Sequence, residues 1–196
     1  MNREYYRHGN VYIWGDSTYE KYGVMKLLQL IDSVYLVKAG SLSFTLRSCV
    51  EEIHIYCLSD SPLLGMANRI DRIRKKHTSK IIIFLPASVP RASIDYMYNV
   101  SVIPYCRTLL RMLLLLKAAL YTNRYDLIRK NKFKESSGKY AFYQTLRSEN
   151  ISKIATKLQI SPKTVYSHRT NYTRKILGFK HRQVARLFFI GCNIDI

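Results

Sequence analysis

The stretch Lys153–Leu177, KIATKLQISPKTVYSHRTNYTRKIL, decides how the C-terminal third of this chain folds. With the residues just before it, apolar side chains recur at Ile151, Ile154, Ala155 and Leu158. That three-and-four spacing predicts a helix over 150–158 with one buried stripe. Ala155 supplies the small side chain needed where two helices cross closely. Ser161-Pro162 then starts a second helix, because serine accepts from a freed N–H of the first turn and proline suits its first position. Gln159-Ile160-Ser161 is the turn between them, with Ile160 able to plug the angle. One more helix is expected upstream, over 140–148 (YAFYQTLRS), turning Phe142 and Leu146 inward.

Placed at 100° per residue, the helix that follows Ser161 separates into two faces. Val165, His168, Tyr172 and Ile176 are expected to face the core. Lys163, Ser167, Thr170 and Arg174 lie opposite, with Tyr166 and Asn171 at the edges. The outward face therefore carries donors, acceptors and cations at the spacing of a helix laid in a DNA major groove. A merely solvated helix face can carry the same residue types, so the spacing alone leaves both readings open.

Charge favours the first of them. The chain of 196 residues has 32 Lys and Arg against 13 Asp and Glu, a formal net charge of +19, which attracts a polyanion or an anionic surface. From Asn131 onward 13 basic residues meet only 3 acidic ones, so the tail is about twice as dense in positive charge as the rest. Cys49, Cys57, Cys106 and Cys192 form no close pair, and the five histidines have no metal-binding spacing. Cys57 and Cys106 sit in apolar surroundings and are expected to act as small hydrophobes. No metal or cofactor is expected, and no constellation suggests hydrolysis, redox or transfer chemistry. The polar start MNREYYRHGN is no signal peptide, and LLRMLLLLKAAL (109–120) is too short to span a bilayer. A soluble, cytoplasmic protein without membrane contact is expected.

The first 130 residues alternate strand and helix patterns. Strands are expected at 11–14 (VYIW), 33–37 (SVYLV), 53–58 (IHIYCL), 80–85 (KIIIFL) and 100–103 (VSVI). Helices are expected at 18–31, 61–76, about 91–98 and 106–121. The continuous apolar run of KIIIFL fits a central parallel strand covered on both faces. The alternation predicts parallel βαβ units, an α/β doubly wound domain of flavodoxin-like size over 1–125. Its second crossover is a weak point, since AGSLSFTLRSCVEE (39–52) makes a poor helix. A charged, Gly/Ser-bearing stretch around RKNKFKESSGK (129–139) predicts a linker over 126–139. An all-α domain of four helices then fills 140–196.

The string ISKIATKLQISPKTVYSHRTNYTRKI resembles the LuxR/FixJ-type helix-turn-helix of bacterial transcription regulators. The matching positions are Ile154-Ala155, Leu158, Ile160-Ser161, Thr164-Val165, His168 and Lys175-Ile176. The resemblance implies that the helix after Ser161 enters the major groove of double-stranded DNA. Lys163, Tyr166, Ser167 and Thr170 would approach base edges, and Thr164, Asn171, Arg174 and Lys175 the backbone. A fourth helix, roughly Arg182–Ile190, would assist dimer pairing. The chain departs from the family pattern in three places. Phe133-Lys134-Glu135-Ser136-Ser137 stands where the family opens with Leu-Thr-x-Arg-Glu, Ser148-Glu149-Asn150 replaces a Gly-containing turn, and KILGF (175–179) is one residue longer than the usual Lys-Leu-Gly-Val end.

Members of that family often carry a phospho-receiver domain in front, which the βα rhythm fits. A receiver needs an acidic pair after its first strand, a phosphorylatable Asp ending its third and a Lys ending its fifth. Here Asp16 stands alone, Asp60 comes two residues late, and the fifth strand ends Ile103-Pro104. The expectation is a degenerate receiver-like domain in a phosphorylation-independent, sequence-specific regulator acting as a homodimer or with another regulator. A phosphorylatable response regulator and a co-regulator working mainly through a protein partner are the alternatives.

Overall fold

The computed structural model describes residues 9–31, 35–38, 43–46, 52–94, 100–104, 106, 108–121 and 137–191. The chain divides into two compact units. One comprises Met1–Ser61, Ile73–Ala87 and Met97–Leu127, the other Pro62–Arg72, Ser88–Tyr96 and Ile128–Ile196.

The first unit is built on a six-stranded sheet. Its strands are β1 (Gly9–Gly15), β2 (Tyr35–Lys38), β3 (Ser43–Leu46), β4 (Ile53–Cys57), β5 (Lys80–Phe84) and β6 (Val100–Ile103), in the order β2-β3-β1-β4-β5-β6. β1, β4, β5 and β6 run parallel, with Ile13 opposite Ile55 and Ile55 opposite Ile82. β5 lies between two parallel neighbours with every residue buried, as its continuous apolar run requires. Even Lys80 is buried, its ammonium donating to the Leu120 carbonyl at 2.7 Å. Helices α1 (Thr18–Ile31) and α3 (Leu109–Tyr121) bury Val24, Leu27, Leu28, Leu116 and Leu120 against Val11, Ile13, Ile53, Ile55, Ile82 and Phe84.

The wholly parallel arrangement is corrected here. The weak second crossover contains β3, which pairs antiparallel with both β2 and β1. Only residues 39–42 separate β2 from β3, and a connection that short can reverse the chain but cannot carry a parallel crossover, which takes a dozen or more residues. The sheet is therefore a four-stranded parallel core extended at the β1 edge by an antiparallel hairpin.

In the second unit α2 (Met66–Lys76) contributes its first seven residues, and α4 (Ser137–Leu146), α5 (Ile151–Leu158), α6 (Pro162–Asn171) and α7 (Arg182–Phe189) follow. α2 starts five residues later than its pattern suggests, because Gly65 adopts a left-handed φ of 67° and its N–H donates to the Leu187 carbonyl at 2.9 Å. The helix expected near 91–98 is a short 3-10 turn at Arg91–Ser93, and residues 95–99 lie outside the described residues. The core combines Ala141, Ile154, Ala155 and Val165 with an aromatic group of Phe142, Tyr143, Tyr172, Phe179, Phe188 and Phe189. Phe142 meets Phe189 edge-on at 5.6 Å, and Phe188 meets Phe189 the same way at 4.8 Å, arrangements that suit the ring quadrupoles.

The expected linker lies mostly outside the described residues, up to 136, but its last three positions are helical. Gly138 belongs to α4 for a packing reason. A Cβ there would stand 2.9 Å from the His168 carbonyl oxygen and 3.0 Å from Tyr172 Cβ, so α4 and α6 cross too closely for any side chain. The glycine that reads as linker chemistry is a crossing point between helices.

Candidate nucleic-acid interface

The hairpin of α5 and α6 is set by its caps. Asn150 accepts from the Ser152 N–H at 2.9 Å and opens α5. Gln159 ends it in the left-handed region at φ 54°, and the Ile160 N–H closes the turn on the Ala155 carbonyl at 3.1 Å. Ser161 then caps α6, its Oγ accepting from the Thr164 N–H at 3.1 Å and lying 2.7 Å from the Thr164 hydroxyl, with Pro162 in the first turn. Ile160 is half-buried beside the Ile154, Ala155 and Val165 core.

With the hairpin fixed, the faces of α6 follow. Lys163, Tyr166, Ser167, Asn171, Arg174 and Lys175 are exposed, and Thr164 and Thr170 are half-buried. None of the eight expected contact residues is in the core. Lys163, Ser167, Thr170 and Arg174 recur at three- and four-residue steps along one side. The Ser167 hydroxyl donates back to the Lys163 carbonyl at 3.3 Å, leaving its lone pairs outward. Thr164 differs from the rest, since its hydroxyl is engaged with the cap.

On the inner side Val165 and Tyr172 are buried and His168 half-buried, but Ile176 is 43% exposed. Uniform phasing at 100° fails because α6 passes into a π turn over Tyr172–Ile176, in which the Leu177 N–H reaches the Tyr172 carbonyl at 3.0 Å. A π turn absorbs one extra residue in a helix. Its effect is to send Leu177 into the core in place of Ile176.

Two buried groups on this helix escape a residue-by-residue reading. Thr173 is buried and donates to the Arg169 carbonyl at 2.9 Å. Arg169 itself is only 6% exposed, with its guanidinium 4.8 Å from the Tyr166 ring centroid and its Nε unpaired. Burial and the nearby Arg182 lower its pKa. Arg182, at the start of α7, shares a cavity with Thr170, Thr173 and Arg174. The sequence offered one hint of this concentration: from Asn150 to Gly191 there are nine Lys and Arg and no Asp or Glu.

The parallel sheet carries a second polar constellation. On the face opposite α1 and α3, Tyr12, Trp14, His54 and Tyr56 from β1 and β4 gather with His77. Trp14 Nε1 donates to His54 Nδ1 at 3.0 Å, the two imidazoles stand 3.8 Å apart between centroids, and Tyr56 Oη lies 2.7 Å from His77 Nε2. Burial, then its neighbour His77, lowers the pKa of His54, with Glu52 at 3.7 Å opposing. Burial and then Lys76 lower that of His77. Near the C-terminal ends of β1 and β4, Glu20 accepts from the Ser59 N–H at 3.3 Å, and burial raises its pKa. Among the described residues no group of three or more His, Cys, Asp or Glu could hold a metal ion. Cys57 and Cys106 are free and buried, and no described helix is long and apolar enough to cross a membrane.

Residues 149–189, which span α5, α6 and α7, match the family of bacterial regulatory proteins, luxR family. No curated protein and no solved structure matches the chain.

Proposed function

We propose that this protein with a LuxR-family helix-turn-helix domain, a DNA-binding transcription regulator, reads specific sequences by laying α6 in the major groove. The observation that carries this reading is the outward row of Lys163, Ser167, Thr170 and Arg174 on a helix capped at Ser161 and backed by Val165 and Tyr172. Lys163, Tyr166, Ser167 and Thr170 approach base edges, while Thr164, Asn171, Arg174 and Lys175 approach the backbone. The domain division is a receiver-like part over 1–125, a linker over 126–139 and the DNA-binding part over 140–196. Control is independent of phosphorylation: among the described residues Asp16 and Asp60 belong to no group that could hold a metal ion, and β6 ends on Ile103-Pro104 with no lysine. The acting form is a dimer, an assignment supported by exposed Leu187 and Ile190 at α7.

Titration of short duplexes with the purified chain tests this. Affinity should fall steeply with salt as phosphate contacts release counterions, and one family of sequences should be preferred. Equal affinity for every duplex would remove the claim of specificity.

A second reading, a co-regulator acting through a protein partner, is favoured by Leu109, Leu110 and Leu114, all exposed on α3. A chain that binds DNA only with a second regulator present would support it.

A further inference from the structure

The cavity lined by Thr170, Thr173, Arg174 and Arg182 has a volume of about 200 Å³ and no acidic side chain in its wall. Arg174 and Arg182 are exposed and come from different elements, the π turn after α6 and the first turn of α7. Arg169 adjoins them with its guanidinium buried, its Nε unpaired and its charge opposed by Arg182. Three like charges in one place repel each other, and a buried unpaired donor adds its own desolvation cost. The segment Asn150 to Gly191, which carries α5, α6 and α7, supplies no counter-charge, since it contains no Asp or Glu. What offsets such a cluster is an external anion. Arginine's planar fork of donors suits a phosphate in particular, gripping two oxygens at once. The Thr170 hydroxyl can donate to the same anion, whereas the Thr173 hydroxyl is spent on the Arg169 carbonyl. The π turn has a part here as well, because Arg174 stands at its centre.

We propose that this cavity is a phosphate clamp, in which Arg174 and Arg182 grip one backbone phosphate of the DNA with Thr170 as a further donor. The proposal rests on the DNA-binding reading and extends it: α7 supplies a DNA contact of its own, through Arg182, beside the groove-facing residues of α6. Tyr166, stacked on Arg169 at 4.8 Å, ties the clamp to the recognition face, so filling the clamp steadies a residue that reaches toward the bases.

The test uses the full chain and three variants, Arg174→Gln, Arg182→Gln and Arg186→Gln. The last removes an exposed arginine of α7 that does not line the cavity. Thermal melts first establish that each variant folds, and affinity for a short duplex is then measured across salt concentrations. Arg182→Gln and Arg174→Gln should each reduce the slope of log affinity against log salt by about 0.9, the value for one lost phosphate contact on duplex DNA. The loss should be alike on preferred and unrelated sequences. An Arg182→Gln slope equal to that of Arg186→Gln would overturn the clamp. A second arm uses inorganic phosphate against chloride at equal ionic strength. Phosphate should raise the melting temperature of the wild type but not of Arg182→Gln. Stabilisation by phosphate with an unchanged DNA slope would overturn the assignment to the DNA backbone. If the chain bound no duplex at all, the DNA-binding reading would fail on that result, and absence of phosphate stabilisation would separately sink the clamp.

Discussion

α6 and the paired strands β1 and β4 are built alike up to a point, each with a buried apolar row on one side and a polar row on the other. Val165 and Tyr172 oppose Lys163, Ser167 and Arg174 in the helix, and Ile13 and Ile55 oppose Trp14, His54 and Tyr56 in the strands. The polar rows end in contrasting states. In the sheet the donors and acceptors consume one another: Trp14 is bonded to His54, Tyr56 to His77, and burial holds both imidazoles toward neutrality. In the helix the cations lie in a segment, Asn150 to Gly191, that contains no Asp or Glu, and Arg169 keeps a donor unpaired. A row that satisfies itself is part of the scaffold, whereas a row left wanting partners is where a ligand gains the most.

The contrast is broken most drastically by Phe142→Ala. That ring packs against Tyr143, Tyr172 and Phe189, and removing a buried phenylalanine costs about 3–5 kcal/mol. Denaturant titration should show a lower midpoint and lost DNA binding, while Trp14, the sole tryptophan, keeps its native emission in the sheet at low denaturant. Next comes Gly138→Ala, whose Cβ would meet the His168 carbonyl at 2.9 Å. Overpacking of this kind costs about 1–3 kcal/mol, and a variant melting as the wild type would refute the close crossing of α4 and α6. Ser161→Ala, which removes the cap on the Thr164 N–H, should cost about 1 kcal/mol. Its melting temperature should fall by more than that of Ser152→Ala, whose exposed side chain caps nothing.

The smallest expected effect is on pH, and it belongs to the sheet. His54 and His77 have pKa values lowered from 6.5 in the folded chain, so the unfolded chain takes up protons first as pH falls. Stability therefore declines as pH drops below about 6.5 and continues to decline until the lowered folded values are passed. Protonating His54 at Nδ1 also breaks the bond from Trp14 Nε1, which gives the transition an optical signal. The double variant His54→Gln/His77→Gln should lose less melting temperature between pH 7.5 and 5 than the wild type. An equal loss would mean that the imidazoles do not carry the effect.

What could be read ahead of the structure was what depends on neighbours in sequence. Ser161-Pro162 announces the start of α6, KIIIF announces a covered strand, and VSVI matches β6 residue for residue. What could not be read depends on meetings between distant residues. Gly138 looks like linker chemistry until His168 is seen across from it. Ile176 points inward on a uniform helix and outward once the π turn intervenes. His54 and His77 have no telling spacing, because a strand and the end of a helix bring them together. Arg169 has no place in either face assigned to the helix from sequence, and the packing around it buries it. Of the candidate contact row, therefore, the placement of all eight residues outside the core was legible, and the neighbouring arginine cluster with Arg182 was not.

The central claim is that α6 chooses DNA by sequence through Ser167, Thr170 and Lys163. Its most direct measurement is selection from a random duplex pool, carried out in parallel with the wild type, Ser167→Ala, Thr170→Ala and Lys163→Ala. The account predicts a defined motif for the wild type and, for each variant, relaxed or altered preference confined to one or two base pairs, with discrimination lost on the order of 1–3 kcal/mol at those positions. The same motif recovered from all four proteins, or none from any, would contradict it.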